Sequence, residues 1–393
     1  MNIPILKRAL IPIMVMLFTQ CSSEPVRATF MKSYGGPMSD EGYSVEQTSD
    51  GGYIIVGSVF ITTNTGQNIW LVKTDAYGDT LWTRHFGTYS QDRGRALRIA
   101  SNGDYIFLGA IRIPPYRLLL TRTKRNGDLI WSKEVLEGDV DTESTLQVTR
   151  DGGAIIGAAV MGTDGYSDMG LIKTDANGDT LWTTSIGGFN LEEGTGVQET
   201  LDGGYLLIGY TESLGVGDGD IVLSKVDATG EYEWDQALVE NGYQRANASL
   251  ATADSGFILA GEIGIKNSPV ESDMFLMKVN STGEVMWMRT HGGDQFETAY
   301  SVQSTSDGGY ILTGTTSSYG AGAGDVWLVK TDGEGFVQWT RTFGGENEDD
   351  GFSVRQTSDG GYIIAGQTQS FSQGFYDLFL IKTDEEGFAV SYR

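Results

Sequence analysis

Ser358-Asp359-Gly360-Gly361-Tyr362-Ile363-Ile364-Ala365-Gly366 is one of seven versions of the same stretch. Asp50, Asn102, Asp151, Asp202, Asp254, Asp307 and Asp359 mark the equivalent point in each, 49 to 53 residues apart. A period sustained from about residue 30 to the end argues for one repeat domain rather than several independent ones in a chain of 393 residues.

The seventh copy shows the unit. Residues 353–357 alternate polar and apolar side chains, as an edge strand does, whereas 362–368 (YIIAGQT) and 377–384 (DLFLIKTD) are nearly unbroken apolar runs, as in strands covered on both faces. A fourth strand, WTRTF at 339–343 of copy six, alternates again. Between strands, SDGG and TDANG (174–178) place glycine where a tight hairpin needs positive φ and an acid where turn N–H groups need an acceptor. Four antiparallel strands in about 50 residues make a propeller blade, and a ring of blades protects the sheet edges by radial repetition. The expected fold is therefore all-β, a seven-bladed β-propeller of four-stranded antiparallel blades. A linear β-solenoid is the competitor, but it normally repeats over shorter lengths. Copy seven lacks its fourth strand, since Ser391 falls where copy six has Trp339. Phe30-Met31-Lys32-Ser33-Tyr34-Gly35-Gly36 aligns with that strand, so the N-terminal strand is expected to complete the last blade and close the ring.

Composition agrees, with 55 glycines, 18 tyrosines and 8 tryptophans. A formal charge of −25 disfavours nucleic acid and favours cations or basic partners. The single cysteine, Cys21, excludes a disulfide framework and a cysteine-based metal site. Residues 1–20 read as a secretion signal: Lys7 and Arg8 precede an apolar run, 9–18, too short to span a bilayer. Leu17-Phe18-Thr19-Gln20-Cys21 resembles a bacterial lipobox, which implies cleavage before Cys21, lipidation of its thiol and a tether over 21–29 ahead of the propeller, 30–393. An ordinary signal peptide with an incidental cysteine is the alternative. Both readings place the protein outside the cytoplasm, at the cell envelope or cell surface, with a lipid anchor as its only membrane attachment.

With YIIAG, DVWLVKTD and GDTLW as repeat motifs, residues 30–393 resemble the tandem β-propeller repeats of secreted bacterial and archaeal surface proteins. KTDANGDTLW (173–182) is also similar to the turn and docking tryptophan of pyrroloquinoline-quinone-type propellers. Trp82, Trp131, Trp182, Trp234, Trp287 and Trp339 hold that place. That family's cofactor site needs eight blades, adjacent cysteines and a calcium site, so cofactor binding does not carry over. The same turn is similar to the sialidase Asp-box, a structural hairpin in its own family.

Features repeated in every blade usually serve packing, and those confined to one or two blades are better candidates for function. Lys73, Arg122, Lys173, Lys225, Lys278, Lys330 and Lys382 recur in every third strand. They are expected to pair structurally with acids such as Asp168, Asp220, Asp273, Asp325 and Asp377. The loops entering each first strand carry Asp40-Glu41, Asp92, Glu143, Glu192-Glu193, Glu297 and Asp349-Asp350. Convergent carboxylates suit a hard cation, making Asp40, Glu192, Glu193, Glu297 and Asp349 the candidates for a calcium ion. Turn capping explains them without metal, and no cofactor is expected.

Blade two breaks the symmetry. Nine of the 27 lysines and arginines fall between Arg84 and Arg125. Arg93, Arg95, Arg112, Tyr116 and Arg117 form the candidate ligand site, suited to carboxylate or sulfate groups; neutralisation of the acidic neighbouring blades is the alternative. Blade five is a second irregularity, with Arg245 in place of an acid and a distinctive loop at 264–269. The histidines, His85 and His291, fall at non-equivalent positions, and no catalytic group can be built around them. These features point to an exported, non-catalytic binding or scaffold module whose partner is an anionic glycan or an envelope protein. A polysaccharide-acting hydrolase or lyase with channel carboxylates is the alternative, and a purely structural surface protein comes third. The assembly state is left open.

Overall fold

In the computed structural model, residues 28–390 are described apart from 62–65, 113, 115, 138–143, 163–164, 189, 216–218, 239–241 and 265–270. The expected signal peptide, Cys21, most of the tether, Glu143, Ser391 and most of the blade-five loop lie outside the described residues.

The repeated motif builds its own turn. Asp359 accepts hydrogen bonds from the Thr357 hydroxyl at 2.5 Å and the Gly361 N–H at 3.2 Å, while Gly360 adopts a φ of +86°. The same carboxylate receives the buried ammonium of Lys382 at 3.0 Å, and that ammonium also donates to the Thr383 carbonyl at 2.7 Å. A Cβ on Gly361 would lie 2.6 Å from the Lys382 Nζ, so the second glycine makes room for the cation. Lys73, Lys173, Lys225, Lys278 and Lys330 repeat this arrangement with Asp50, Asp151, Asp202, Asp254 and Asp307. The partners of the lysine column are thus the turn aspartates. Asp168, Asp220, Asp273, Asp325 and Asp377, expected in that role, each stand first or second in a third strand, at the opposite end from its lysine.

The turns join twenty-eight strands into seven four-stranded antiparallel sheets, and no helix occurs among the described residues. Blade one runs outward from the axis as Glu41–Gln47, Tyr53–Phe60, Gln67–Thr74 and Thr80–Ser90. The inner strands of the next five blades are Arg93–Ile99, Thr145–Val148, Glu192–Glu199, Tyr243–Ala251 and Glu297–Ser304. Blade seven comprises Asp349–Gln356, Tyr362–Thr368, Asp377–Thr383 and, as its outermost strand, Phe30–Tyr34. That last pairing aligns Phe30 with Lys382 and Tyr34 with Leu378.

The core is a series of layers between blades. Ile54, Val56, Ile69 and Leu71 of blade one interlock with Leu97, Tyr105 and Phe107 of blade two. Aromatic residues of the outer strands lock these layers at the rim: Trp339 of blade six lies against Gly387 of blade seven, 5.8 Å from the ring of Tyr362. Phe30 stands in the tryptophan position of blade seven and meets Gly78 and Tyr53 of blade one in the same way, at 6.1 Å from the tyrosine ring. The joint between blades seven and one also repeats an inner contact found elsewhere. Ser358 N donates to Gln47 Oε1 at 2.8 Å, as Ser306 N does to Gln356.

Candidate functional site

The inner strands surround a central channel of about 620 Å³. Six of them carry a β-bulge near the entrance, at Gly42/Ser44, Gly94/Leu97, Gly194/Gly196, Ala246/Ala248, Ala299/Ser301 and Gly351/Ser353. A bulge leaves one residue unpaired and re-aims its side chain. Tyr43, Arg95, Thr195, Asn247, Tyr300 and Phe352 fall in these bulges and all line the channel. The last glycine of the repeated motif is what permits the bulge: a Cβ on Gly366 would stand 1.8 Å from the Asp350 carbonyl oxygen, and one on Gly314 would stand 1.8 Å from that of Thr298.

These bulge residues divide the channel into two halves. In blades six, seven, one and two, which are consecutive around the ring, Phe352 stacks on Tyr43 at 5.4 Å with 19° between ring planes, and Tyr300 meets Phe352 edge-on at 5.4 Å. The Arg95 guanidinium sits 5.3 Å from the Tyr43 ring centroid. Burial, with the nearby Glu41 charge, raises the Tyr43 phenol above its ordinary pKa, so it stays protonated and donates to the Glu41 carboxylate. Across the channel the lining is small and polar: Ser144, Thr195 and Asn247. Asn247 Nδ2 donates to the Ala299 carbonyl at 3.1 Å, which fixes its amide.

Within the blade-two candidate set, Arg93 and Arg95 lie on the inner strand, and Arg93 Nε donates to Gln67 Oε1 at 3.3 Å. Arg112 and the exposed Tyr116 flank the loop between the second and third strands, of which residues 113 and 115 lie outside the described residues. Arg117 opens the third strand and approaches Glu134 at 3.7 Å. The channel therefore takes Arg95 from this set, while Arg112, Tyr116 and Arg117 run outward along the same end of the blade. Other basic residues of the run serve elsewhere. Arg84 packs on Trp82, Arg122 pairs with Asp104 at 2.9 Å, and Arg125 donates to the Asn102 carbonyl at 2.6 Å, the last two at the turn end of the blade.

The acids at the entrance cap turns. Asp40 accepts the N–H groups of Gly36 and Phe60 at 2.7 and 2.8 Å; Glu192 accepts that of Gly188 at 2.9 Å; Glu297 accepts those of Gly293 and Ser318 at 2.7 and 3.0 Å; Asp349 accepts that of Gly345 at 2.9 Å. All four are buried, and Glu193 pairs with Arg245 at 2.9 Å. Among the described residues no three acidic, histidine or cysteine side chains converge as a metal-holding group. His85 and His291 lie on outermost strands. Tyr43, Tyr300 and Phe352, missed in the sequence, follow directly after the small residues Gly42, Ala299 and Gly351. Their signal is a column of the repeat that varies (Tyr, Arg, Thr, Asn, Tyr, Phe) between two columns that stay small, Gly or Ala before it and Ser, Ala or Gly after it.

No family model matches the chain. A curated relative, the regulatory protein FlaEY of Caulobacter vibrioides, is 27% identical over 133 residues, which cover 30% of this chain and 14% of that protein. The match thus spans about one seventh of the relative's length. Among solved structures, the WD40 domain of Neurospora crassa Pan2 is similar with a TM-score of 0.54 at 10% identity, covering 92% of this chain and 96% of that one. The polysaccharide lyase Uly1 matches with a TM-score of 0.55 at 10% identity, covering 93% and 94%. YCF48, solved with a D1 peptide, matches with a TM-score of 0.51 at 11% identity, covering 92% and 100%. At such identities the likeness is one of fold.

Proposed function

We propose that this chain is an exported, non-catalytic binding module of the cell envelope, lipid-anchored through Cys21, whose ligand is an acidic saccharide chain taken into the channel at its bulged end. The observation that carries the reading is the gathering of Tyr43, Tyr300, Phe352 and Arg95 on one side of the channel. Aromatic faces accept the C–H face of a sugar ring, and a guanidinium beside them takes a carboxylate or sulfate. The amide and hydroxyls opposite supply hydrogen bonds to sugar hydroxyls, the usual division of labour in a small-molecule site. Binding is favoured over hydrolysis or elimination because Glu46 is the one carboxylate among the described channel-lining residues, and two arginines hold it. A segment of an envelope protein is the other partner of matching chemistry. Export and anchoring rest on Lys7, Arg8, the apolar run that follows and the lipobox-like sequence.

The test is binding of residues 22–393, which retain every strand, to a panel of neutral and anionic polysaccharides. Salt-sensitive binding is expected, weakened about 30-fold or more by Tyr43→Ala with Phe352→Ala, and lost when Arg93, Arg95, Arg112 and Arg117 are all changed to glutamate. Turnover of any glycan in the panel by the purified protein would replace the module with an enzyme, and absence of binding across the panel would move the search to envelope proteins. Lipid incorporation lost in Cys21→Ala checks the anchor.

A further inference from the structure

Three residues beyond the bulge the inner strands present a second tier to the channel: Glu46, Arg98, Gln147, Gln198, Leu250, Gln303 and Arg355. At about 3.3 Å per residue this tier lies on the order of 10 Å from the aromatic one. Its charged members come from three consecutive blades, with Glu46 of blade one between Arg355 of blade seven and Arg98 of blade two. Arg355 Nε donates to Glu46 Oε1 at 3.0 Å, and Arg98 Nη1 approaches the same oxygen at 3.6 Å. One carboxylate thus serves two guanidiniums, and the cluster carries a net positive charge inside a strongly acidic protein.

Both cations are held in place from behind. Arg98 Nη1 donates to the Leu97 carbonyl at 2.7 Å and Arg355 Nη1 to that of Val354 at 2.8 Å, so the forks are fixed before a ligand arrives. The other N–H groups of Arg98 have no hydrogen-bond partner among the described residues, and its side chain remains 32% exposed. Burial, with the Arg355 charge and against that of Glu46, lowers Arg98 to a pKa of about 10, which leaves it cationic at neutral pH. The rest of the tier, three glutamines and a leucine, adds no negative charge. Glu46 and Arg98 also line a second cavity, of about 930 Å³, shared with Asp50, Ser101 and Arg125 at the turn end of blades one and two.

We propose that Arg98 and Arg355, with Glu46 between them, form an oxyanion site that takes one carboxylate or sulfate group. Two pre-positioned forks suit such a group, and Glu46 acts as an internal competitor that keeps affinity moderate. The site uses none of the aromatic tier's residues, so it stands or falls separately from the saccharide reading.

The test is calorimetric titration of residues 22–393 with sodium sulfate and with sodium acetate, against sodium chloride at matched ionic strength. Saturable binding of either oxyanion beyond chloride is expected, the two arms showing which group is preferred. Arg98→Gln and Arg355→Gln should each weaken it about tenfold. Glu46→Gln should tighten it several-fold, and the oxyanion should raise the melting temperature of that variant more than that of the parent. This opposite sign keeps the test decisive even where an arginine variant fails to fold. Absence of oxyanion binding in both the parent and Glu46→Gln, or equal binding in the arginine variants, would overturn the proposal. Retained sulfate binding in Tyr43→Ala with Phe352→Ala, accompanied by loss of polysaccharide, would show the two tiers acting separately.

Discussion

Ser255 has a φ of +68°, the single positive-φ residue other than glycine among the described residues, at a turn position that the other six blades give to glycine. A left-handed conformation costs an L-residue about 1–2 kcal/mol, part of which glycine's larger unfolded-state entropy offsets. Ser255→Gly is therefore expected to stabilise the protein by about 1 kcal/mol, read as a higher urea midpoint at unchanged slope. Blade two shows the same turn rewired. Asn102 replaces the turn aspartate, and Asp104, standing where most blades have their second glycine, supplies the carboxylate that receives Arg122. The larger guanidinium meets an acid that reaches toward it, so the pair is kept while both members change.

Among the elements, Phe30–Tyr34 has the largest leverage for its length. It supplies the outer strand of blade seven, and its side chains reach blade one: Phe30 packs over Gly78, Lys32 pairs with Asp79 at 2.5 Å, and the Tyr34 hydroxyl donates to the Gly78 carbonyl at 2.5 Å. Removing residues 29–36 exposes the edge of Asp377–Thr383 and uncovers one inter-blade layer. The melting temperature of that deletion is expected to fall by well over 10 °C, whereas removal of 391–393 should leave it within a degree or two. Equal melting of the two truncations would mean that the ring does not depend on this strand. The inner strands make a different point about elements. Their bulge interrupts the pairing that builds the blade, and the interrupted residue is the one delivered to the channel.

Across the whole molecule the two ends of the ring titrate in opposite senses. At the bulged end, burial is the main cause raising Asp40 to about 6; the N–H groups of Phe60 and Gly36 oppose it, and the Asp377 and Glu41 charges add to it. Burial likewise raises Asp273, Asp325, Asp350 and Asp377. At the turn end, burial would raise Asp151, but hydrogen bonds from Lys173, Thr149 and Gly153 more than reverse this and hold it at about 2; Asp202 and Asp307 are also at about 2. A raised carboxyl binds its proton more tightly in the folded state, so stability grows as pH falls from about 6 towards 4. A depressed carboxyl does the reverse, and its contribution is lost as pH falls from about 4 towards 2. Melting temperature should therefore rise on mild acidification and then drop, with Asp40→Asn flattening the upper limb. The lower limb should be shallow for each pair, because the turn aspartates are largely exposed and such pairs are worth little. A monotonic fall from pH 7 would refute this arrangement.

The seven-fold period, the four-strand unit and the strand that fills the last blade were legible in the chain because they depend on local chemistry: apolar periodicity, turn glycines and an acid three residues after Gln356. Tertiary structure decided the rest. Which acid meets Lys382 depends on the path of a hairpin, which returns the third strand's far end to the Asp359 turn and carries Asp377 away from it. Which residues face the axis depends on a bulge that shifts the two-residue alternation by one, so Tyr43 and Phe352 line the channel beside Arg95 instead of continuing the edge pattern. Composition marked the basic run of blade two, but only the ring separates it into Arg95 and Arg98 inside the channel, Arg112 and Arg117 along one rim, and Arg122 and Arg125 at the other. The physical reason is that local sequence sets what each strand can be, whereas convergence of seven strands on one axis sets which side chains meet.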